Sequence, residues 1–144
     1  MTILEKISLK HYNTFGLEVK ADYFTELTKF SEILEILQHP VFMSNPRLIL
    51  GRGSNILLTK DFKGIVVKIN TKGIEIVKET NEHIFLKVQA GEEWNDFVDY
   101  CMKQNYGGIE NLAFIPGNTG SAPIQNIGAY GIEVKDCIEE VEFI

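Results

Sequence analysis

Between Glu110 and Glu133 the chain carries no charged residue. This run, NLAFIPGNTGSAPIQNIGAYGI, spans Asn111 to Ile132 and holds four glycines, Gly117, Gly120, Gly128 and Gly131, and two prolines, Pro116 and Pro123. Glycine and proline exclude a continuous core helix. A solvated linker is a poor description too, because Ile115, Ile124, Ile127, Ala129 and Tyr130 supply apolar content that flexible linkers lack. Ser121, Gln125 and Asn126 add uncharged hydrogen-bonding groups. Such a segment can lie against a flat ligand with many backbone contacts and no charge to desolvate. We read it as ligand-lining.

The rest of the chain must supply a scaffold for that segment. With 144 residues it is long enough for one domain or for part of a larger design. A formal net charge of -6 and a pI near 5.1 argue against nucleic acid as partner. They leave an anionic small ligand open, since local backbone dipoles can hold one. The start, MTILEKISLKHYNTFG, is not a signal peptide, and no apolar run has the length of a membrane span, so the cytoplasm is the expected location. Cys101 and Cys137 stand far apart outside any CxxC pattern and read as free thiols. His11, His39 and His83 match no metal-ligand spacing, so no metal is expected.

Periodicity places a helix near Ser31–Gln38, with Ser31 as N-cap, Ile33, Leu34, Ile36 and Leu37 as apolar face, and Pro40 as stop. RLIL at Arg47–Leu50 reads as a buried strand, and Gly64–Asn70 as another. Ile74–Glu79 and Ile84–Ala90 alternate around a polar turn and read as a hairpin. Trp94, Phe97, Val98 and Cys101 fall on one helical face. Glu92 and Glu93 read as first-turn acids, and Gly107–Gly108 as the terminator. CIEEVEFI, ending at Ile144, alternates like a strand. The order gives an α+β protein in two lobes, residues 1–70 and 71–144.

The strand Arg47–Leu50 runs into GRGSN, Gly51 to Asn55. A strand entering glycine and small polar residues can present backbone N–H groups to a phosphate. Ile56 occupies the third glycine position of a dinucleotide fingerprint, and no Walker lysine follows, so neither common phosphate loop is present. An ordinary strand-to-strand turn remains the alternative reading of these five residues.

NTFG at 13–16, GRGSN at 51–55 and ENLAFIPGNTGSAPIQNIGAYGIE at 110–133 together resemble the flavoenzyme family of UDP-N-acetylenolpyruvoylglucosamine reductases, type I branch. The likeness implies an FAD-binding fold of the vanillyl-alcohol oxidase type, α+β and not Rossmann. It implies FAD as cofactor and NADPH as co-substrate. It also implies UDP-N-acetylenolpyruvoylglucosamine as substrate, reduced to UDP-N-acetylmuramate for the bacterial cell wall. A monomeric full-length parent is expected. Gly51, Arg52, Gly53, Ser54 and Asn55 would face the FAD diphosphate, with Arg52 either helping to neutralise it or pointing to solvent. Ile115, Pro116, Gly117, Gly120, Ser121, Ile124, Gln125, Asn126 and Gly128 would wrap the cofactor, and Tyr130 would approach the substrate. Asn118 and Ala122 take no role in this reading.

The resemblance puts the proton-donor serine, the catalytic arginine and glutamate and the substrate-binding domain after the last matching block. None of Ser8, Ser31, Ser44, Ser54 and Ser121 occupies the donor position. No catalytic residue is assigned here. The expectation is the N-terminal part of a longer enzyme, cut inside its second FAD-binding lobe and inactive alone. Two alternatives stay open: another FAD oxidoreductase of the same fold, and a non-catalytic binding protein or remnant.

Overall fold

The computed structural model describes every residue from Met1 to Ile144. The chain divides into two compact units, Met1–Lys72 and Gly73–Ile144.

In the first unit, β1 (Leu4–Ser8), β2 (Lys20–Leu27), β3 (Arg47–Leu50) and β4 (Phe62–Ile69) form one sheet in the order β1-β2-β4-β3. β1 runs antiparallel to β2, whereas β2 and β3 both run parallel to β4. The continuous apolar run Ile65-Val66-Val67 suits a strand buried on both faces. Val66 joins Leu9, Val19, Ala21, Phe24, Leu50 and Leu58 in one core, while Ile65 and Val67 join Leu27, Ile36 and Phe42 in a second.

No apolar pattern in the sequence marks a strand before Arg47, yet β1 and β2 are there. Lys20, Asp22 and Glu26 interrupt the apolar signal of β2, and a register irregularity between Ala21 and Tyr23 breaks its alternation. Helix α1 spans Phe30–Leu37, one residue earlier than expected at its start, and Ser31 is not its N-cap. Glu32 does the capping instead: its Oε2 accepts from the N–H groups of Thr28 at 2.7 Å and Lys29 at 3.0 Å. Ile36 is buried and Ile33 half-buried, but Leu34 and Leu37 are 50% and 37% exposed, so the apolar face is narrower than expected. Pro40 opens a second short helix, α2 (Pro40–Ser44), where His39 Nδ1 accepts from Val41 N–H.

In the second unit, β5 (Ile74–Glu79) and β6 (Ile84–Val88) make the expected antiparallel hairpin, with β6 stopping short of Ala90. Helix α3 covers Trp94–Lys103 and buries Trp94, Val98 and Cys101. It ends before Gly107–Gly108, because Asn105 takes the left-handed conformation, φ 61°. Glu93 is the N-cap, and Glu92 accepts from Gly73 N–H at 2.7 Å, which leaves Asp96 as the first-turn acid. The core gathers Trp94, Val98, Leu112, Ala122 and Val134.

The uncharged run folds into a chain of small elements. Single 3-10 turns at Glu110–Leu112 and Thr119–Ser121 lead into helix α4 (Ala122–Gln125) and a short hairpin, β7 (Gly128–Ala129) with β8 (Ile132–Glu133). The expected final strand is absent: after a 3-10 turn at Val134–Cys137, residues 138–144 pair with no strand. Alternation alone does not make a strand without a ladder partner. Here the tail is held instead by Lys87 and Glu142, 2.8 Å apart.

Candidate functional site

Each unit contributes one candidate segment. In the first, Gly51–Asn55 leaves the carboxyl end of β3, beside the carboxyl end of its parallel neighbour β4. Open sheets with parallel strands bind ligands at such ends. Gly53 is buried at φ +75°, and a Cβ there would lie 2.0 Å from the Tyr12 carbonyl oxygen. Only glycine satisfies both constraints. Arg52 and Asn55 are exposed and Ser54 is half-buried.

NTFG builds the wall beside this turn. Asn13 is buried; its Nδ2 donates to the carbonyls of Leu9 and Leu17, and its Oδ1 accepts from Leu17 N–H. Thr14 N–H then donates to the Gly53 carbonyl at 3.1 Å. Two short motifs nearly forty residues apart in sequence are thereby one local structure. The unit is also the basic one, with ten Lys and Arg against seven Asp and Glu, whereas Gly73–Ile144 has four against thirteen.

In the second unit the uncharged run separates into inward and outward residues. Ile115, Ile127 and Ala129 pack on the core. Gly117, Thr119 and Gly120 are laced to the segment 89–94. Trp94 N–H donates to Gly117 O, Gly120 N–H to Ala90 O at 3.0 Å, and Thr119 Oγ1 to Gln89 O at 2.6 Å. Ser121 Oγ donates to the Asn118 carbonyl at 2.8 Å. The close approach expected of Gly120 is therefore made to Ala90 within the chain. Gly128 sits in the β7–β8 hairpin, and Asn126 caps α4 at φ 41° with its Nδ2 3.1 Å from Glu133 Oε2.

Outward stand Phe114, Ile124 and Tyr130, 91%, 86% and 88% exposed, with Pro116, Gln125, Asn126 and Gly128 also exposed. Phe114 and Tyr130 have positive φ, 62° and 54°. Bulky side chains rarely adopt that region, and such strain concentrates at functional positions. Tyr130 and Gly131 (φ +83°) form the two-residue connection between β7 and β8, the signature of a type I′ turn, where Asn-Gly is the favoured pair.

Sequence reasoning passed over three residues that matter here. Phe114 was readable as an aromatic inside an uncharged run. Lys68 on β4 donates from Nζ to the Gly51 carbonyl at 2.7 Å, a contact set by strand register. Asn118 is buried and bridges from Nδ2 to the carbonyls of Gly91 and Glu92, while its Oδ1 has no partner within the chain. An unpaired buried acceptor costs about 1–3 kcal/mol. No local pattern marks Asn118 or Lys68.

Glycine turn, basic unit and parallel strand ends suit an anionic diphosphate. In the second unit the exposed apolar side chains of Phe114, Ile124 and Tyr130 suit a planar apolar group. Each unit by itself thus carries features of a nucleotide-cofactor-binding module without a Rossmann fingerprint, and the glycine turn of the first fits the diphosphate of FAD. The chain belongs to the FAD binding domain family, whose model matches residues 21–144. It is 48% identical over 136 residues to the UDP-N-acetylenolpyruvoylglucosamine reductase of Flavobacterium johnsoniae, covering 94% of this chain and 40% of that protein. To the Vibrio parahaemolyticus protein of the same name it is 46% identical over 144 residues, covering 100% of this chain and 41% of the relative. A crystal structure of UDP-N-acetylenolpyruvylglucosamine reductase from Thermus caldophilus shares the fold, with a TM-score of 0.71 at 24% identity, over 94% of this chain and 46% of that one. The chain thus spans about 40% of the length of the curated relatives it matches. No helix is long and apolar enough to cross a membrane.

Proposed function

We propose that this chain is the FAD-binding part of a reductase that converts UDP-N-acetylenolpyruvoylglucosamine to UDP-N-acetylmuramate with NADPH, in a cytoplasmic, monomeric parent enzyme of cell-wall synthesis. The observation that carries the reading is identity of 46% sustained over all 144 residues with a relative of that name. Bound FAD supplies the relay by which electrons from NADPH reach the substrate double bond.

The chain's own residues bind and orient. Backbone N–H groups of Gly51–Asn55 receive the diphosphate at the strand ends, with Arg52 at the exposed rim. Ile124, Gln125 and the exposed edge at Pro116 line the cofactor in the second unit. Gly117, Gly120 and Ser121 give that lining its fixed shape, the exposed Asn126 and Gly128 add to its contact surface, and Ile115 anchors it to the core. Tyr130 stands at a hairpin tip and reaches toward substrate.

The test uses the full-length protein. It should purify yellow, release FAD and not FMN on heating, and oxidise NADPH only when the enolpyruvyl sugar nucleotide is present. A colourless protein that cannot be reconstituted with FAD would end the proposal. FAD binding without that substrate dependence would point to another oxidoreductase of the same fold.

A further inference from the structure

Lys68 lies in register with Leu50 of β3 and with Glu26 of β2. In-register side chains share a face of the sheet, and alternate residues of one strand do too. Leu50 and Val66 belong to the core on that face, so Lys68 is the next residue up from a packed apolar column. Leu50 is the last residue of β3, and the chain turns into the glycine loop directly beside the lysine. Its Nζ donates to the Gly51 carbonyl at 2.7 Å, in a half-buried position. Glu26, its acidic register partner, accepts from Asn70 Nδ2 at 2.6 Å.

An apolar residue would continue the column, and a neutral donor would satisfy one carbonyl. The chain places an ammonium there instead, which has three N–H donors and a full charge. It sits at the carboxyl ends of parallel strands, where ligands bind, under a loop whose Gly53 is fixed at φ +75°. A lysine acts toward phosphate as a point charge that need not be aligned in a plane.

We infer that Lys68 is a further binding residue for the anionic diphosphate of a dinucleotide, holding the Gly51 carbonyl to its own side and placing positive charge beneath the loop. The inference rests on the FAD-binding reading above and assigns a cation to it. The charge acts through a half-buried position, so its contribution falls with ionic strength but is not abolished by it.

The test is FAD titration of the apo form of the full-length protein, wild type beside Lys68→Met and Lys68→Arg, at several salt concentrations. Loss of one charge-assisted contact should weaken FAD by about tenfold or more in Lys68→Met. It should also flatten the dependence of affinity on salt, while Lys68→Arg keeps both. Should Lys68→Met not fold, Lys68→Gln carries the same expectation. Wild-type affinity in the neutral variant overturns the inference, as does weakened affinity with an unchanged salt dependence, since the lysine would then only shape the loop. A Lys68→Arg protein no better than Lys68→Met overturns it too. A wild-type protein that binds no FAD overturns the reading of the previous subsection as well; FAD binding indifferent to Lys68 overturns this inference alone.

Discussion

Gly120 is pressed against Ala90: its N–H donates to the Ala90 carbonyl at 3.0 Å, and a Cβ on Gly120 would lie 2.5 Å from the Ala90 Cβ and 2.9 Å from its Cα. The backbone of Ala90 cannot yield as a side-chain tip could. Gly120→Val should therefore destabilise the second unit by about 1–3 kcal/mol through overpacking. Urea unfolding followed by circular dichroism measures it. A midpoint equal to wild type would show that the 89–94 segment gives way freely. Any loss of FAD affinity in this variant follows from the displaced loop.

Trp94 is the only tryptophan in the chain, is buried in the second unit, and donates from Nε1 to the Leu112 carbonyl at 2.8 Å. That bond ties α3 to the start of the uncharged run. Trp94→Phe keeps an aromatic but strands a buried carbonyl, at about 1–3 kcal/mol. Trp94→Ala adds a cavity and should cost about 3–5 kcal/mol. Wild-type fluorescence should be blue-shifted and move to the red in a single step as this unit unfolds. Red emission from the native protein would contradict the burial.

What the sequence revealed follows from how local each signal is. The β5–β6 hairpin and the face of α3 rest on neighbours a few residues apart, and both were readable. β2 was not, because its apolar residues are separated by Lys20, Asp22 and Glu26 and its register slips near Ala21. In the candidate site, GRGSN was legible as a turn after a strand. The pairing of Gly53 with Tyr12 and Thr14 was not, since it joins segments that only the sheet brings together. The uncharged run was recognisable as unusual, but its glycines divide between internal packing, as at Gly120, and turn geometry, as at Gly131. Nothing in the composition tells these apart.

Tyr130 breaks the rule for its turn. The first position of a type I′ connection favours Asn, and Tyr130 holds φ 54° while standing 88% exposed. Tyr130→Asn should relieve strain and stabilise the second unit by up to about 1 kcal/mol. If the tyrosine is kept for ligand contact, the same variant should bind or turn over substrate less well in the full-length protein. Thermal unfolding and steady-state kinetics check the two halves separately. A variant that is both more stable and fully active would leave the tyrosine without a functional reason.

Cys101 and Cys137 should behave differently toward reagents and toward alkali. Both are free thiols, Cys101 buried on α3 and Cys137 exposed, with its Sγ donating to the Gly108 carbonyl at 3.3 Å. Burial pushes the Cys101 thiol from its ordinary 9.0 up to about 11. Burial, and then the nearby Asp136 and Glu110 carboxylates, raise Cys137 as well. At mild pH a thiol reagent should modify Cys137 first, and Cys101 only as the unit opens. For stability, the neutral thiol is the form the folded state prefers. Its contribution is complete below the unfolded value of 9.0 and is lost as pH rises toward about 11, where the unfolded chain has already released a proton that the folded chain still holds. The unfolding free energy should therefore fall with pH across that window. Cys101→Ala should show a shallower alkaline fall than wild type, whatever its absolute stability, because the titrating group is gone. Equal slopes in the two proteins would place the alkaline sensitivity elsewhere.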